Sequence, residues 1–452
     1  MLPPKTTSPD PGLVFVIAFA AFLAVAPAPA AQEPASALRL TLDDAMRLGA
    51  EASHRLAELS ARQEAASAAS AVEAASGRPQ VSLRGGYTRT NHVEEFGIVQ
   101  PDGPRQIIYP DVPDNISSRI GADWTLFDGR RTESLVAAAS LEADAIGHDR
   151  AAEGSDIALE VATAYWAVVT GRENERVVEA SLTAVEAHLE TARDRYEAGM
   201  VPSSDVTSAE AERASQQALL VQARTEREVA ALTLRRLLGL DPNRRLELTE
   251  PVAAQPSMVP SAEELVPLAL EQRPERAAIA ARLTALDRRA AAVTSTRVPS
   301  VVASGGYDYA RPNPRIFPRA AEWNDSWDAS VNLVWSLFDG GRSSAELRRT
   351  SAEAVALEQR LAELDSVIAL DVRRRRLEID AARATVTAAE EGVRSAREAV
   401  RVLDIRYRGG VATASDVLDA RTAALRADLA LTRARVSVRL AEIRLDRAVG
   451  RP

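Results

Sequence analysis

The sequence has 452 residues, of which 26% are charged and 46% are hydrophobic, and its formal net charge at pH 7 is −9. An acidic balance of this size disfavours nucleic acid as a partner. The chain contains no cysteine, which excludes disulfides, thiolate metal sites and cysteine nucleophiles. Lys5 is the only lysine, so a Gly-x-x-x-x-Gly-Lys phosphate-binding loop is excluded as well.

Residues 1–30 have the layout of a secretory signal peptide. An apolar run at 13–25 follows a short segment that contains Lys5, and small residues and prolines lead from it to Ala30. The run is shorter than the about 20 residues that a membrane-spanning helix needs. We therefore expect export with cleavage after Ala30, and no N-terminal lipid anchor because no cysteine follows.

The rest of the chain contains an internal duplication, which is the strongest feature of the sequence. The segment 195–206 (RYEAGMVPSSDV) returns as 406–417 (RYRGGVATASDV), displaced by 211 residues. The tetrapeptide Leu-Phe-Asp-Gly at 126–129 returns at 337–340 with the same displacement. The chain is therefore one unit present twice.

Earlier in each half the displacement is larger. Gly-Gly-Tyr at 85–87 returns at 305–307, displaced by 220 residues, so the first half carries nine extra residues in the loop that follows. We predict a first structural repeat at 31–243 and a second at 262–452. A proline-rich, poorly patterned linker at 244–261 joins them.

In chain order, each repeat reads as a helix, a strand, a loop, a second strand and two helices joined by a tight turn. In the first repeat the predicted helices are 42–76, 132–198 and 205–238, the strands are 79–89 and 116–127, and 90–115 is a loop. In the second repeat the predicted helices are 263–296, 343–408 and a final one after the turn, and the strands are 299–309 and 328–338.

The four predicted strands each have one apolar and one polar face. Their length of about ten residues is that of a tilted membrane-crossing strand. Four strands cannot close a barrel, for which about eight are needed, and an open sheet edge is unstable in hydrocarbon. If the strands cross a membrane, several chains must combine to close the ring. The alternative is a soluble antiparallel sheet with one buried face.

The two longest predicted helices are 132–198 and 343–408. Each has about 65 residues and is therefore close to 100 Å long, which is longer than the diameter of any globular core. Paired with the helices after each turn, they predict antiparallel coiled-coil hairpins. The alternative is a structural or adhesive exported coiled-coil protein without channel activity. An enzyme is not expected, because no acid, base, nucleophile or metal ligands converge in the sequence.

The turn between the helices of each hairpin has its own pattern. Gly199 and Gly410 stand where a helix C-terminus favours a residue with positive φ. Ser204 and Ser415 stand where the next helix needs an N-cap oxygen. The histidines have no ligand spacing and are interpreted as surface or interface residues: His54, His92, His148 and His188.

The doubled Arg-Tyr-x-x-Gly-x-x-x-x-Ser-Asp-Val turn, the doubled Leu-Phe-Asp-Gly joint and the order of elements resemble the TolC family of bacterial outer-membrane efflux proteins. The resemblance covers nearly the whole chain after the signal peptide. It implies a mostly α fold with a β-barrel part. In a homotrimer, twelve strands would form a barrel surrounded by outer-membrane lipid, continuous with a periplasmic barrel of helical coiled coils.

The resemblance also implies partners and a role. The turns would meet a periplasmic adaptor (membrane fusion) protein, which links them to an inner-membrane RND, ABC or MFS transporter. The channel would be the passive exit duct of a tripartite efflux pump or a type I secretion system for drugs, metals or proteins. No cofactor is expected.

The second turn carries a possible cation site. Asp416 and Asp419 lie one helical turn apart, so in three chains around an axis they would form two stacked carboxylate rings. In the first repeat Ser208 stands at the position of Asp419. The alternative for Asp416 is helix capping alone, whereas Asp419 lies beyond capping range.

In the family, the closed turns are held by hydrogen bonds between neighbouring helix pairs. The matching positions are Asp205 and Tyr407, with Ser204 as a capping hydroxyl. Ala412 stands where the best-known member of the family has an arginine, so one contact of that network is missing. We expect Tyr407 to Asp205 bonding to hold the closed state.

Overall fold

A computed structural model describes residues 37–99, 101, 103–251 and 258–451. The predicted signal peptide at 1–30 lies outside the described residues. The helices are α1 (Leu42–Ala52), α2 (His54–Ser76), α3 (Arg131–Glu197), α4 (Ser203–Leu237), α5 (Ala262–Gln272), α6 (Pro274–Ser295), α7 (Arg342–Arg408) and α8 (Ala414–Val449). The strands are β1 (Leu38–Leu40), β2 (Gln80–Arg89), β3 (Phe96–Ile98), β4 (Gln106–Tyr109), β5 (Asp114–Phe127), β6 (Leu246–Leu248), β7 (Ser300–Arg311) and β8 (Asn324–Val334).

The segment before the first strand of each repeat forms two helices, whereas the sequence pattern predicted single helices at 42–76 and 263–296. Ser53 interrupts the first segment with an extended backbone (φ −74°, ψ 114°). Arg273 interrupts the second, because Pro274 disfavours a helical conformation in the residue before it. The single-helix prediction was wrong because the apolar pattern continues across both breaks.

Four strands form one antiparallel sheet in the order β2-β5-β7-β8. Directly opposite residues form rows across all four strands, and one row consists of Leu83, Ile120, Tyr307 and Trp327. Leu83 is 70% exposed and Trp327 is 73% exposed. The sheet therefore presents large apolar side chains on a face that no described part of the chain covers.

Three predictions around the sheet need correction. The last strand is Asn324–Val334 rather than 328–338, because β7 begins at Ser300, whose partner is Val334, and offers no pairing beyond it. The predicted loop 90–115 contains the hairpin β3-β4, and the predicted linker 244–261 contains β6, which pairs in parallel with β1. Strands of three or four residues are too short to show an alternating pattern.

The duplication extends to individual side-chain contacts at the junction of sheet and helices. The Trp124 indole Nε1 donates to the carbonyl oxygen of Gly77 at 3.1 Å. Its twin, Trp335, donates to the carbonyl oxygen of Arg297 at 3.0 Å. In both repeats the indole thus ties the end of the second strand to the chain just before the first.

The Leu-Phe-Asp-Gly joint places a carboxylate at the start of each long helix. Asp128 accepts a hydrogen bond from the backbone N–H of Thr132, and Asp339 accepts one from the backbone N–H of Ser343, both at 2.8 Å. Hydrogen bonds from the Ser343 hydroxyl and backbone lower the pKa of Asp339 to about 2. A negative charge here also complements the helix dipole.

The long helices α3 and α7 have 67 residues each, so each is about 100 Å long. Helix α3 packs against α4, and α7 packs against α8, which gives two helical hairpins. Midway along α3, the buried Tyr165 hydroxyl donates to the Leu40 carbonyl oxygen (3.1 Å) and accepts from the Glu250 N–H (3.2 Å). These bonds hold β1 and the chain after β6 against α3.

Hydrophobic clusters surround these mid-helix contacts in both repeats. The cluster in the first repeat also takes in Val436 of α8, and this contact joins the two hairpins. The matching cluster of the second repeat contains Ile368, Val372 and Ile379 of α7. No helix in the described parts of the chain has the length and hydropathy needed to cross a membrane.

Candidate functional site

The turns of the two helical hairpins lie at the end of the molecule farthest from the sheet. At the first turn Gly199 has φ +72°, and at the second Gly410 has φ +76°. The N–H of Met200 donates to the Arg195 carbonyl oxygen at 2.8 Å, and the equivalent bond in the second turn is 2.9 Å. This is the six-to-one closure of a Schellman motif, which needs a left-handed residue at the position of each glycine.

The prediction of Ser204 and Ser415 as N-caps was wrong. Helix α8 is capped by Thr413, which forms a capping box with Asp416: the Asp416 N–H donates to the Thr413 hydroxyl (3.2 Å), and the Thr413 N–H donates to the Asp416 carboxylate (2.8 Å). Helix α4 has Pro202 at the equivalent position and no side-chain cap. An N-cap side chain accepts a hydrogen bond from the backbone N–H two or three residues later in the chain. In α8 the residue three positions before Asp416 is Thr413, whereas Ser415 directly precedes Asp416 and is too close to it to be the cap.

The capping box affects the charge at the second turn. Bonds from the Thr413 backbone and hydroxyl lower the pKa of Asp416, so the carboxylate stays ionised. Asp416 and Asp419 are both exposed. No group of three or more metal-ligating side chains occurs within the part of the chain that the structure describes. The carboxylate rings therefore remain a prediction that concerns several copies of the chain.

Tyr407 lies between the two hairpins, next to the second turn. Its side chain is 2% exposed, and its hydroxyl donates to the Asp205 carboxylate at 3.5 Å, the long limit of a hydrogen bond. Burial, followed by the nearby charge of Asp205, raises the pKa of the Tyr407 phenol. Ala412 packs against the same small cluster. The residue equivalent to Tyr407 in the first repeat, Tyr196, is 50% exposed, so the duplicated tyrosines have different surroundings.

Arg195 makes the shortest contact between the hairpins at this end. Its Nη1 donates to the Tyr407 carbonyl oxygen at 2.6 Å, and its guanidinium carbon lies 4.9 Å from the centre of the Tyr407 ring. No role for Arg195 was predicted from the sequence. The sequence shows an Arg-Tyr pair in each repeat, but it does not show that the arginine of the first pair, Arg195, contacts the tyrosine of the second pair, Tyr407.

His188, interpreted from the sequence as a surface or interface residue, completes the contact and lies enclosed between the two hairpins. It is 3% exposed, its ring centre lies 5.2 Å from that of Tyr407, and its Nε2 has no hydrogen-bond partner among the described residues. Burial, and then the charge of Arg421, lower its pKa, while Asp404 and Asp205 oppose the shift. The His188 imidazole is therefore neutral at pH 7.

The same arrangement of long helical hairpins and a four-stranded sheet occurs in solved outer-membrane channels. The chain matches CusC with a TM-score of 0.77 over 91% of this chain and 92% of that chain, at 16% identity. It matches VceC of Vibrio cholerae with a TM-score of 0.75 over 90% and 96%, at 22% identity. The chain therefore shares the fold of these solved proteins.

Residues 48–240 and 265–451 match the family model described as outer membrane efflux protein. The chain belongs to this family, and the resemblance inferred from the doubled motifs is confirmed. Outer membrane protein TolC of Vibrio cholerae is 27% identical over 400 residues, 88% of this chain and 87% of the relative. The pyoverdine export outer membrane protein OpmQ of Pseudomonas aeruginosa is 24% identical over 394 residues, 86% and 81% of the two chains.

Proposed function

We propose that this protein is the outer-membrane exit duct of a tripartite efflux pump or a type I secretion system. Three copies would form a closed barrel in the outer membrane and a helical tunnel across the periplasm. The observation that carries this proposal is the uncovered apolar face of the sheet, with the row Leu83, Ile120, Tyr307 and Trp327 across all four strands. A soluble sheet would need a second layer over that face.

Within the part of the chain that the structure describes, the sheet also has two unpaired edge strands, β2 and β8. Unpaired backbone groups cost several kcal/mol each in hydrocarbon, so only a closed ring of strands is stable there. Three copies supply twelve strands, which exceeds the about eight that a barrel needs. The mid-helix clusters and long hairpins would then extend away from the membrane into the periplasm.

The partners follow from this placement. The exposed turns, with Gly199, Ser204, Gly410 and Ser415, would dock on a periplasmic adaptor protein. An inner-membrane RND, ABC or MFS transporter would supply the energy and select the cargo, whether drug, metal or protein. The family consists of channel proteins, and the role of the duct is passive conduction.

The contact between the hairpins would act as the periplasmic gate. Tyr407 and Asp205 join the two hairpins of one copy, and Asp416 and Asp419 at the second turn would face the pore. Ser204 is exposed beside Asp205 and would contribute a hydroxyl there rather than a cap. Carboxylates around a pore favour cations.

A charge on either face of the sheet tests the proposal. Ile120→Arg places a cation on the apolar face, which costs about 2–4 kcal/mol per chain at the centre of a membrane. Ser117→Arg, three residues earlier on the opposite face, is the matched control. We expect the first variant to lose the heat-modifiable trimer from the outer-membrane fraction and the second to retain it and conduct in planar bilayers. A wild-type protein that stays monomeric in detergent and never conducts would instead support the structural coiled-coil alternative.

A further inference from the structure

We infer that a cavity at the junction of sheet and helices is a binding site for small molecules that carry a carboxylate or phosphate group. The cavity lies between the sheet ends of α3, α6 and α7, and Arg131, Arg289 and Arg342 contribute to its lining. We call it the junction cavity. The inference rests on the proposed function, because it names a class of cargo that the duct would bind on its way out.

The junction cavity has the size of a ligand pocket. Its volume is about 730 Å³, within the range of about 300–1,000 Å³ that is typical of pockets for drug-sized molecules. Leu135, Ala292 and Val293 give it an apolar wall. Thr296 precedes β7 and Ser336 follows β8, so their hydroxyl groups lie at the end of the cavity next to the sheet. The cavity can therefore hold a molecule with an apolar body and a polar head.

Three arginines of the junction cavity have no counter-charge. Arg131, Arg289 and Arg342 are exposed, and the side chain of each makes no hydrogen bond or ion pair with any residue in the described ranges. The neighbouring Arg130, by contrast, pairs with Glu133. Groups of one sign that share a concave site raise the local concentration of ions of the opposite sign. The junction cavity therefore attracts anions.

The acidic residues of the junction cavity are engaged by other partners. Glu346 and Glu353 pair with Arg349 of the same helix, at 2.5 Å and 3.9 Å. Asp339 accepts a hydrogen bond from the backbone N–H of Ser343 at 2.8 Å. Within the lining that the structure describes, the charge left without a partner is therefore positive.

Arginine side chains determine the class of ligand. The planar guanidinium presents a fixed fork of N–H donors that matches two oxygens of a carboxylate or a phosphate group. A metal cation would be repelled by the same charges. The arginines and the apolar wall together favour an organic anion.

The junction cavity opens on the polar side of the sheet. Ser330 and Asn332 lie on the polar face of β8, and Ser336, which continues their alternation beyond the strand, lines the cavity. Trp335 and Leu337, which continue the apolar face, do not line it. In the proposed trimer the apolar face contacts lipid, so the cavity opens into the duct. Soluble cargo in the duct therefore reaches the cavity more directly than a lipid headgroup does.

The duplication places two of the three arginines at equivalent positions. Arg131 and Arg342 are displaced by 211 residues, and each lies two residues after the glycine of a Leu-Phe-Asp-Gly joint. Three copies would place six of these arginines around the duct, and rings of arginine favour the passage of anions. The residue equivalent to Arg289 in the first repeat is Ala69, so a site with all three arginines is expected once in each chain.

Calorimetric titration of the purified protein with phenyl phosphate, in a nonionic detergent, tests the site without any measurement of transport. Arg289→Gln should weaken binding about 10-fold or more, since a charge-assisted hydrogen bond is lost. Arg288→Gln is the matched control: Arg288 is the preceding residue of α6, is also exposed and does not line the cavity. It should bind phenyl phosphate as the wild type does. Equal affinities of the two variants would overturn the inference.

Two further ligands identify the chemistry of the site. Benzyl alcohol, a neutral molecule with a similar ring, should not compete with phenyl phosphate. Dihexanoyl phosphatidylglycerol, a soluble lipid with a phosphate head, should bind no more tightly than phenyl phosphate. Binding of the lipid without binding of phenyl phosphate would overturn the inference, because the cavity would then be a site for lipid headgroups.

Ion selectivity gives an independent readout of the same arginines. In planar bilayers with a gradient of potassium chloride, the double variant Arg131→Gln with Arg342→Gln should shift the reversal potential toward that of a cation-selective pore. Arg348→Gln, at an exposed position of α7 outside the cavity, should leave it unchanged. Equal reversal potentials for the double variant and the wild type would count against the inference and leave the proposed function standing. A wild-type protein that forms no pore would overturn both.

Discussion

The prediction that follows most directly from the turns concerns Arg195. Replacing it with methionine removes the 2.6 Å bond from Nη1 to the Tyr407 carbonyl oxygen and the stacking on the Tyr407 ring. A charge-assisted hydrogen bond contributes about 1.5–3 kcal/mol and an exposed cation–π contact about 0.5–1 kcal/mol. Because Arg195 is half-buried, we take the lower end of each range, about 1.5 kcal/mol for the hydrogen bond and about 0.5 kcal/mol for the cation–π contact. Together the two contacts contribute about 2 kcal/mol per chain.

Tyr407→Phe removes a weaker contact. The hydroxyl reaches Asp205 at 3.5 Å, so its loss should cost about 0.5–1 kcal/mol per chain. If three chains open together, the closed state loses about 6 kcal/mol in Arg195→Met and about 1.5–3 kcal/mol in Tyr407→Phe. At 1.4 kcal/mol per factor of ten, the open population rises about 10⁴-fold in the first variant and about 10- to 100-fold in the second.

Single-channel recording in planar bilayers measures this difference as open probability. Arg193→Met is the control, since Arg193 pairs with Glu210 of the adjoining helix within its own hairpin, at 2.6 Å. It should leave gating unchanged. A larger effect of Tyr407→Phe than of Arg195→Met, or equal effects of the two arginine variants, would refute the reasoning.

Three further predictions concern a titration, a helix cap and a buried hydroxyl. Because the pKa of His188 is lowered by burial in the folded protein, the unfolded or opened form binds the proton more tightly. The contact between the hairpins should therefore lose stability as pH falls below about 6.5, and the loss should be complete below the folded pKa. His188→Gln should flatten this dependence of open probability between pH 7 and pH 5. Thr413→Ala removes the capping box and should lower the free energy of unfolding by about 1 kcal/mol in thermal denaturation. Tyr165→Phe removes the hydroxyl that accepts from the Glu250 N–H, whereas the Leu40 carbonyl keeps its hydrogen bonds from Thr249. The lost acceptor should destabilise the fold by about 1–3 kcal/mol.

Each of these three predictions has a result that would contradict it. An unchanged pH profile in His188→Gln would show that another group titrates. Ser415→Ala should lie within about 0.5 kcal/mol of the wild type, because the hydroxyl does not cap the helix. A larger loss in Ser415→Ala than in Thr413→Ala would contradict the assigned cap. A Tyr165→Phe protein with wild-type stability would show that the mid-helix contacts do not need the hydroxyl.

The sequence by itself determined the features that depend on local chemistry. The duplication, the long helices and the glycine turns could be predicted because helix periodicity and positive φ at Gly199 and Gly410 are properties of neighbouring residues. Most strand positions could be predicted for the same reason. The breaks at Ser53 and Arg273 could not, since the apolar pattern runs through them.

The tertiary structure alone decided which member of each duplicated pair is buried. Tyr196 and Tyr407 occupy equivalent positions in equivalent sequences, yet one is half exposed and the other enclosed. Trp166 and Leu377 differ in the same way. The physical reason is that burial depends on what lies across the contact in space: one member of each pair faces the other repeat of its own chain. The second member has no such cover among the described residues.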